Sequence, residues 1–451
     1  MNESSSESRS SLRWSLAAAC LAGLAGVIAV GLVVDRPETQ PSPAMTRKAA
    51  PVAPAAPEKP PRPETPASIS TLDSETLDRR IDLAVDYLVR SCGSDGRFVY
   101  WVHLDPQVTL PPSYNVLRHA GAMYALGMYH DAHPDARVRD ALVRAGDFLR
   151  RECVEPLPGR DDLLGVWSPP ELVLRGEPPQ AKLGGAGLGL VGLLAAERAS
   201  PGMIPLDELR KLGQFLLYLQ KEDGSFYTKF IPIDGGRWDE WLSLYYPGEA
   251  ALGLVMLYEH DPRPEWLAAA AGAIQYLAAI REGDDDVPAD HWALIATARL
   301  LRLADQSPLP IDRAALVAHA AQICERMLRN QSSQQPGSPL RGSFTRDGRT
   351  TPAATQLEGL LAALEFLPAE DPALAAQVDE AVERGIAFLL RAQVVTGPHT
   401  GGVPRAIQPL PGDDPSDDLE AFNRRVGEIR IDYVQHAASA MMQYRRLHHG
   451  R

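Results

Sequence analysis

The chain has 451 residues, of which 45% are hydrophobic, and a formal net charge of −13. That length and apolar content are enough for a large buried core in a single helical toroid. The acidic balance, with no Lys/Arg-rich run after the N-terminus, excludes a nucleic-acid partner, whose binding needs a basic footprint.

Residues 1–14 carry Arg9 and Arg13, and residues 15–34, SLAAACLAGLAGVIAVGLVV, contain no charge. At about 1.5 Å per helical residue this run is just long enough to cross a bilayer. Positive charge before it and Asp35 after it predict a cytoplasmic N-terminus, with the rest of the chain periplasmic or extracellular. A cleaved signal peptide is the competing reading. The length of the run and the lack of a clear small-residue cleavage site favour an uncleaved signal anchor, a single-pass membrane attachment. Lipidation at Cys20 is disfavoured because Ala17 stands where a Leu is usual. Residues 35–70 are rich in Pro and Ala and read as an extended, semi-rigid linker.

From 71 to 447 the sequence reads almost entirely as helix, and two kinds of helix alternate. Amphipathic helices are predicted near 73–92, 135–152, 205–221, 264–282, 311–331 and 371–393. In the first, Leu77, Ile81, Val85, Leu88 and Val89 recur at helical spacing. Asp261-Pro262 and Asp371-Pro372 have the form of an N-cap followed by Pro at the first helical position. Ala- and Gly-rich helices, apolar nearly all round, are predicted near 113–131, 182–198, 243–259, 289–303, 353–366 and 430–447; helices buried on every side have this composition. Turns such as SDGRF (94–98), EDGSF (222–226) and GSF (342–344) follow the amphipathic helices. Cys92 and Cys153 end two such helices that should be neighbours. They either pair in an oxidising compartment or stay as two buried thiols, and both readings remain open.

Five apolar helices share a pattern: RHAGAMYAL (118–126), GEAALGLVM (248–256), HWALIATAR (291–299), LEGLLAALE (357–365) and QHAASAMMQ (435–443). The second position reads His119, Glu249, Trp292, Glu358 and His436. A sixth stretch, LGGAGLGLV (183–191), offers only Gly there. One unit used six times, with polar residues at one level of several buried helices, points to a shared pocket.

Helix, Gly-x-aromatic turn and small-residue helix, repeated six times over about 73–447, resembles the (α/α)6 toroid class. That class includes six-hairpin glycosidases, polysaccharide lyases, the C-terminal domain of uronyl C5-epimerases and terpene cyclases. The resemblance implies an all-α fold of six outer and six inner helices, with the site in the cup formed by the inner ring. No particular family is identified, so no family's catalytic residues are carried over.

One turn upstream of the repeated position lies a second polar layer: Tyr114 and Asn115, Tyr245 and Tyr246, Asp290, Thr355, and Asp432 with Tyr433, flanked by Arg118 and Arg430. Glu249, Asp290 and Glu358 are the candidate acid and base carboxylates, with His119 and His436 as further catalytic candidates. Tyr114, Asn115, Arg118, Tyr245, Tyr246, Trp292, Arg430, Asp432 and Tyr433 are candidate substrate-binding groups. Hydrolysis, elimination and epimerisation stay open, since uronate chemistry needs a cation near the sugar carboxylate and a Tyr or His base. A less favoured alternative places a divalent metal on Glu358, His436 and His119, brought together by ring closure. No cofactor is predicted. The partner is a carbohydrate polymer or glycoconjugate, with a non-catalytic glycan- or peptide-binding scaffold as the alternative. Gly187, Gly189 and Gly192 fit a dinucleotide fingerprint by letters alone, and close helix packing explains them better. Asp284 to Asp286 fall mainly in a loop and do not make a terpene-enzyme motif. Two long segments, about 153–181 and 397–428, are predicted walls or lids of the cup.

Overall fold

The computed structural model describes residues 72–450, apart from 169–177, 241–242, 307–308, 310 and 332–336. The membrane run 15–34 and the linker 35–70 lie outside the described residues. Among those described, no helix is long and apolar enough to cross a membrane.

Six outer helices alternate with six inner ones along the chain. The outer set is α1 (Ser74–Ser91), α3 (Ala136–Cys153), α5 (Leu206–Leu219), α7 (Pro264–Arg281), α9 (Arg313–Asn330) and α12 (Pro372–Ala392). The inner set is α2 (Val116–Ala132), α4 (Leu183–Ala199), α6 (Tyr246–His260), α8 (His291–Gln306), α10 (Thr350–Ala363) and α14 (Ile431–His449). Each inner helix packs on the next, and α14 packs back on α2, so the inner ring is closed. Composition dictates the sorting. Every residue of α4 except Arg198 is buried, whereas α1 buries only a stripe through Leu77, Ile81, Ala84, Val85 and Leu88. Inner helices also need to approach closely. A Cβ on Gly187 would lie 2.7 Å from the Glu249 carbonyl oxygen, which confirms packing, not dinucleotide binding, as the reason for that glycine.

The turn motif has a structural purpose. Gln220, Gln331 and Gln393 each cap the end of an outer helix, and each side-chain amide reaches a carbonyl of the next outer helix in the ring. Gln220 donates to Ala269 (2.8 Å), Gln331 to Ala381 (2.7 Å) and Gln393 to Arg80 (2.9 Å). Cys92 holds the same place after α1, with Sγ 3.6 Å from the Ala141 carbonyl oxygen. The glycine of the turn then passes over the neighbouring helix. At Gly401, φ is +91° and an added Cβ would come within 1.8 Å of the Leu83 carbonyl oxygen, so only glycine fits. The following Phe98, Phe226, Phe344 or Val403 is buried beneath. These staples hold the outer ring at four of its six seams.

The open question about Cys92 and Cys153 is decided, and two expectations need correction. Cys92 and Cys153 form no disulfide; both are buried thiols. Asp371 caps α12 as expected, accepting from Leu374 N–H at 3.0 Å. Asp261 does not start α7, which begins at Pro264. Its carboxylate instead takes Arg210 bidentately at 3.0 and 2.7 Å. The reading of almost continuous helix missed seven short strands among the described residues. β1 (Trp101–His103) pairs antiparallel with β7 (Glu428–Arg430), and β2 (Val154–Leu157) with β3 (Arg160–Val166). β4 (Ala181–Lys182), β5 (Lys229–Ile231) and β6 (Gly236–Trp238) make a three-stranded sheet. They line the segments that lead into inner-helix N-termini: β4 runs directly into α4, and β7 into α14. The two short helices α11 (Leu367–Glu370) and α13 (Leu419–Arg424) sit in connections.

Candidate active site at the inner-helix rim

Three adjacent inner helices bring together the group with the most open chemistry. Glu358 on α10 and His436 on α14 meet at 2.6 Å, Oε2 to Nδ1. His291, the first residue of α8, places Nε2 4.0 Å from the same Glu358 oxygen. The ligand atoms of all three lie within 4.8 Å of one another. Glu358 is 0% exposed and His291 2%. The same His436 Nδ1 also lies 3.2 Å from Gln435 Nε2, while His436 Nε2 takes no part in either contact. His291 packs against Trp292 at 4.7 Å, Tyr245 at 5.2 Å and His436 at 5.6 Å between ring centroids. Burial, and then the neighbouring His436, push its pKa well below the usual imidazole value, so the ring is neutral. Neither His291 nitrogen nor Glu358 Oε1 has a hydrogen-bond partner. Buried polar atoms are nearly always bonded, so three such atoms in one spot single this group out as the candidate site.

Beside this group, Glu249 on α6 is buried and its Oε2 has no partner. Burial, and then Asp290, push its pKa up to about 8, which keeps it protonated at neutral pH. Asp290 is held by Arg281 of α7 at 3.1 Å and caps α8 through Ala293 N–H at 3.1 Å. Burial still raises its pKa. Asp290 thus anchors α8 and adds to the burial that raises the pKa of Glu249.

One turn nearer the rim, Asp432 accepts both Arg430 nitrogens, at 2.6 and 2.9 Å, and Arg118 at 3.1 Å. Burial opposes ionisation there, yet Arg430 and Arg118 hold Asp432 well below the usual carboxylate range. Arg118 also bonds the Tyr100 hydroxyl, and Tyr433 donates to Glu428 at 2.8 Å.

The other predicted residues divide by orientation. His119 turns away from the axis toward α3: its Nε2 meets the Ala145 carbonyl at 3.0 Å and its Nδ1 the Tyr114 hydroxyl at 2.8 Å, between Phe98 and Phe148. Burial lowers its pKa to about 4. Arg118, one residue and about 100° earlier on the helix, takes the rim-facing place. His119 and Tyr114 therefore form a structural pair, and the three-residue group contains His291 where His119 was expected. Asn115 caps α2, accepting from Arg118 N–H at 3.2 Å. Thr355 Oγ1 donates to the Pro352 carbonyl at 3.3 Å. Trp292 is 3% exposed and stands between Tyr124 and His436. Tyr245 is 37% exposed, and Tyr246 starts α6 close to Gly184. Sequence reasoning missed His291, Tyr100 and Glu428. Alignment on small residues selected Trp292 and passed over the imidazole beside it. The run Asp290-His291-Trp292 at the start of an otherwise apolar helix was the signal available. A groove of about 650 Å³ between α5 and α7 lies on the outer ring, among Gln220, Gly224 and Tyr276, away from these groups.

Two concentric rings of six helices, with ionisable groups gathered at the inner-helix N-termini, define an (α/α)6 toroid. The fold is similar to that of D-mannose isomerase, at 12% identity and a TM-score of 0.56, covering 83% of this chain and 99% of that one. It is similar to cellobiose 2-epimerase from Bacillus thermoamylovorans, at 12% identity and 0.58, covering 82% and 98%. It is also similar to an unsaturated glucuronyl hydrolase specific for heparin, at 12% identity and 0.54, covering 83% and 98%. No protein-family profile matches the sequence, and no curated protein matches it.

Proposed function

We propose that the chain is a carbohydrate-processing enzyme that works by acid–base chemistry at the inner-helix rim and is held outside the cytoplasm by residues 15–34. The carrying observation is the 2.6 Å His436–Glu358 pair with neutral His291 beside it. Glu358 orients His436 as a base, and protonated Glu249 is the acid. Tyr245 and the Arg118–Asp432–Arg430 group bind and align the sugar, with buried Trp292 packed against His436. A two-carboxylate hydrolysis is the weaker fit, because Glu358 is enclosed and committed to His436. Proton transfer at a sugar carbon, as in isomerisation, epimerisation or elimination, matches these groups better. The similar structures include an isomerase, an epimerase and a hydrolase, so the choice rests on the site residues and not on the fold. The test is deuterium uptake from D2O into a panel of reducing sugars and oligosaccharides, followed by NMR. His436→Asn and Glu358→Gln should each cut turnover by about 10²–10⁴-fold. Unchanged turnover in both would remove the assignment.

A second reading is favoured by the two unpartnered nitrogens of His291. His291, His436 and Glu358 present two imidazoles and a carboxylate from three neighbouring helices, a donor set that suits zinc or a similar divalent ion. The ion would displace the His436–Glu358 bond. Elemental analysis after zinc loading and gel filtration decides it: one ion per chain, lost in His291→Ala, supports the metal; none supports the imidazole base.

A further inference from the structure

The rim beside His436 carries more guanidinium than carboxylate. Arg118 and Arg430 share the single carboxylate of Asp432. Arg425 is paired with Glu428 at 2.8 Å, and Arg349 with Asp347 at 2.8 Å. Arg405 has no ion pair among the described residues. Its guanidinium lies 5.6 Å from the Phe422 ring centre, and its buried Nε lacks a hydrogen-bond partner. Backbone bonds fix its place: Arg405 N–H donates to the Glu428 carbonyl at 2.7 Å, and its own carbonyl accepts from Thr350 N–H at 2.9 Å. With Glu358 beside His436 included, five guanidiniums face four carboxylates, a local surplus of one positive charge in a chain of net charge −13.

The helix ends carry part of this surplus. Three inner helices have a cation at the N-cap: Lys182 on α4, Arg349 on α10 and Arg430 on α14, none with a side-chain capping bond. Helix N-termini carry partial positive charge and ordinarily take Asp, Ser, Thr or Asn there. Outer helices of the same chain follow that preference, with Asp73, Asp135, Asp312 and Asp371 as caps. Cations at three inner caps work against the helix dipoles, an arrangement that is relieved when an anion binds.

We propose that this rim binds the anionic substituent, carboxylate or sulfate, of an acidic sugar, through Arg118, Arg405 and Arg430, and so sets the sugar ring over His436. Asp432, which both Arg118 and Arg430 grip, is one helical turn from His436, about 6 Å along the axis, comparable to one sugar ring. The inference rests on the carbohydrate reading and names its substrate class.

The test is calorimetric binding of the full chain in detergent to matched oligosaccharides: uronate-containing, sulfated, and neutral counterparts of equal length. Acidic sugars should bind at least about tenfold tighter than neutral ones, equivalent to about 1.4 kcal/mol, with the preference shrinking as salt rises. Arg405→Gln and Arg118→Gln should each erase most of that preference, Arg405→Gln without weakening neutral binding, while Arg405→Lys keeps it. Tighter binding of uronates than of sulfated sugars, or the reverse, identifies the substituent and supports the proposal either way. Equal binding of acidic and neutral sugars, or a preference untouched by both Gln variants, overturns the proposal and leaves the carbohydrate reading standing. Absence of binding to any of them overturns both.

Discussion

Replacing Glu249 by Gln should change how stability depends on pH. Glu249 ionises near 4.5 in an unfolded chain but near 8 in the fold, because burial and Asp290 both disfavour its charge. Between those values the folded protein holds a proton that the unfolded chain has released. Stability therefore falls as pH rises through this window, by about 1.4 kcal/mol per pH unit, and levels off above the folded pKa. From about pH 5 to about pH 7 the wild-type loss is roughly 3 kcal/mol, and Gln, which does not titrate, escapes it. The toroid spans about 380 residues, so its unfolding entropy converts this to a change of about 3–4 °C in Tm. The quantity to follow is the Tm difference between Glu249→Gln and wild type across that pH range, by calorimetry or circular dichroism. Any fixed cost of the amide shifts the whole curve and does not affect its slope. Parallel Tm curves would mean that Glu249 titrates as an ordinary carboxyl, and its role as a protonated acid would go with it.

Three further outcomes are expected. Gly401→Ala should destabilise the fold by about 3 kcal/mol or more, because a Cβ meets the Leu83 carbonyl at 1.8 Å in a left-handed turn; denaturant unfolding within about 1 kcal/mol of wild type would contradict the staple geometry. Gln393→Ala should cost about 1–3 kcal/mol through the lost bond to Arg80, whereas Gln377→Ala, an exposed site, should be close to neutral in the same assay. Asp432→Asn should cost about 3–5 kcal/mol, since Arg118 and Arg430 lose their shared carboxylate; a smaller change would show that water already screens that pair.

Much of the architecture was legible because burial leaves a compositional trace. A helix such as α4, enclosed on every side, must be small and apolar, and the stripe of α1 must recur every three or four residues. The Gly-x-aromatic turns were visible too, though their purpose was not. That a Gln amide reaches the next outer helix depends on contacts about fifty residues away, as from Gln220 to Ala269. The strands escaped for a related reason. Three residues, as in β1, carry no alternation to read, and the partner of β1 lies in β7, over three hundred residues on. Among the candidate site residues, Glu358 and His436 were legible as a pair because α10 and α14 are consecutive inner helices. The expected third member failed on helical phase, since Arg118 and His119 cannot both face the axis.

The polar groups of the inner ring had to find partners somewhere, and where they found them separates support from chemistry. His119 is satisfied by a carbonyl of α3 and by Tyr114. Asp290 is satisfied by Arg281 of α7 and by its own helix. Both reach outward or back onto their own helix, so their bonds hold the two rings together and leave nothing for a ligand. His291, Glu358 and Glu249 have no such outward partner. Glu358 reaches only sideways, to His436, and buried atoms on all three remain unbonded. A fold gains nothing by enclosing unpaired polar atoms, and each costs about 1–3 kcal/mol. Three neighbouring inner helices carry that cost together at one end of the ring. That shared cost is the observation on which the proposed site rests.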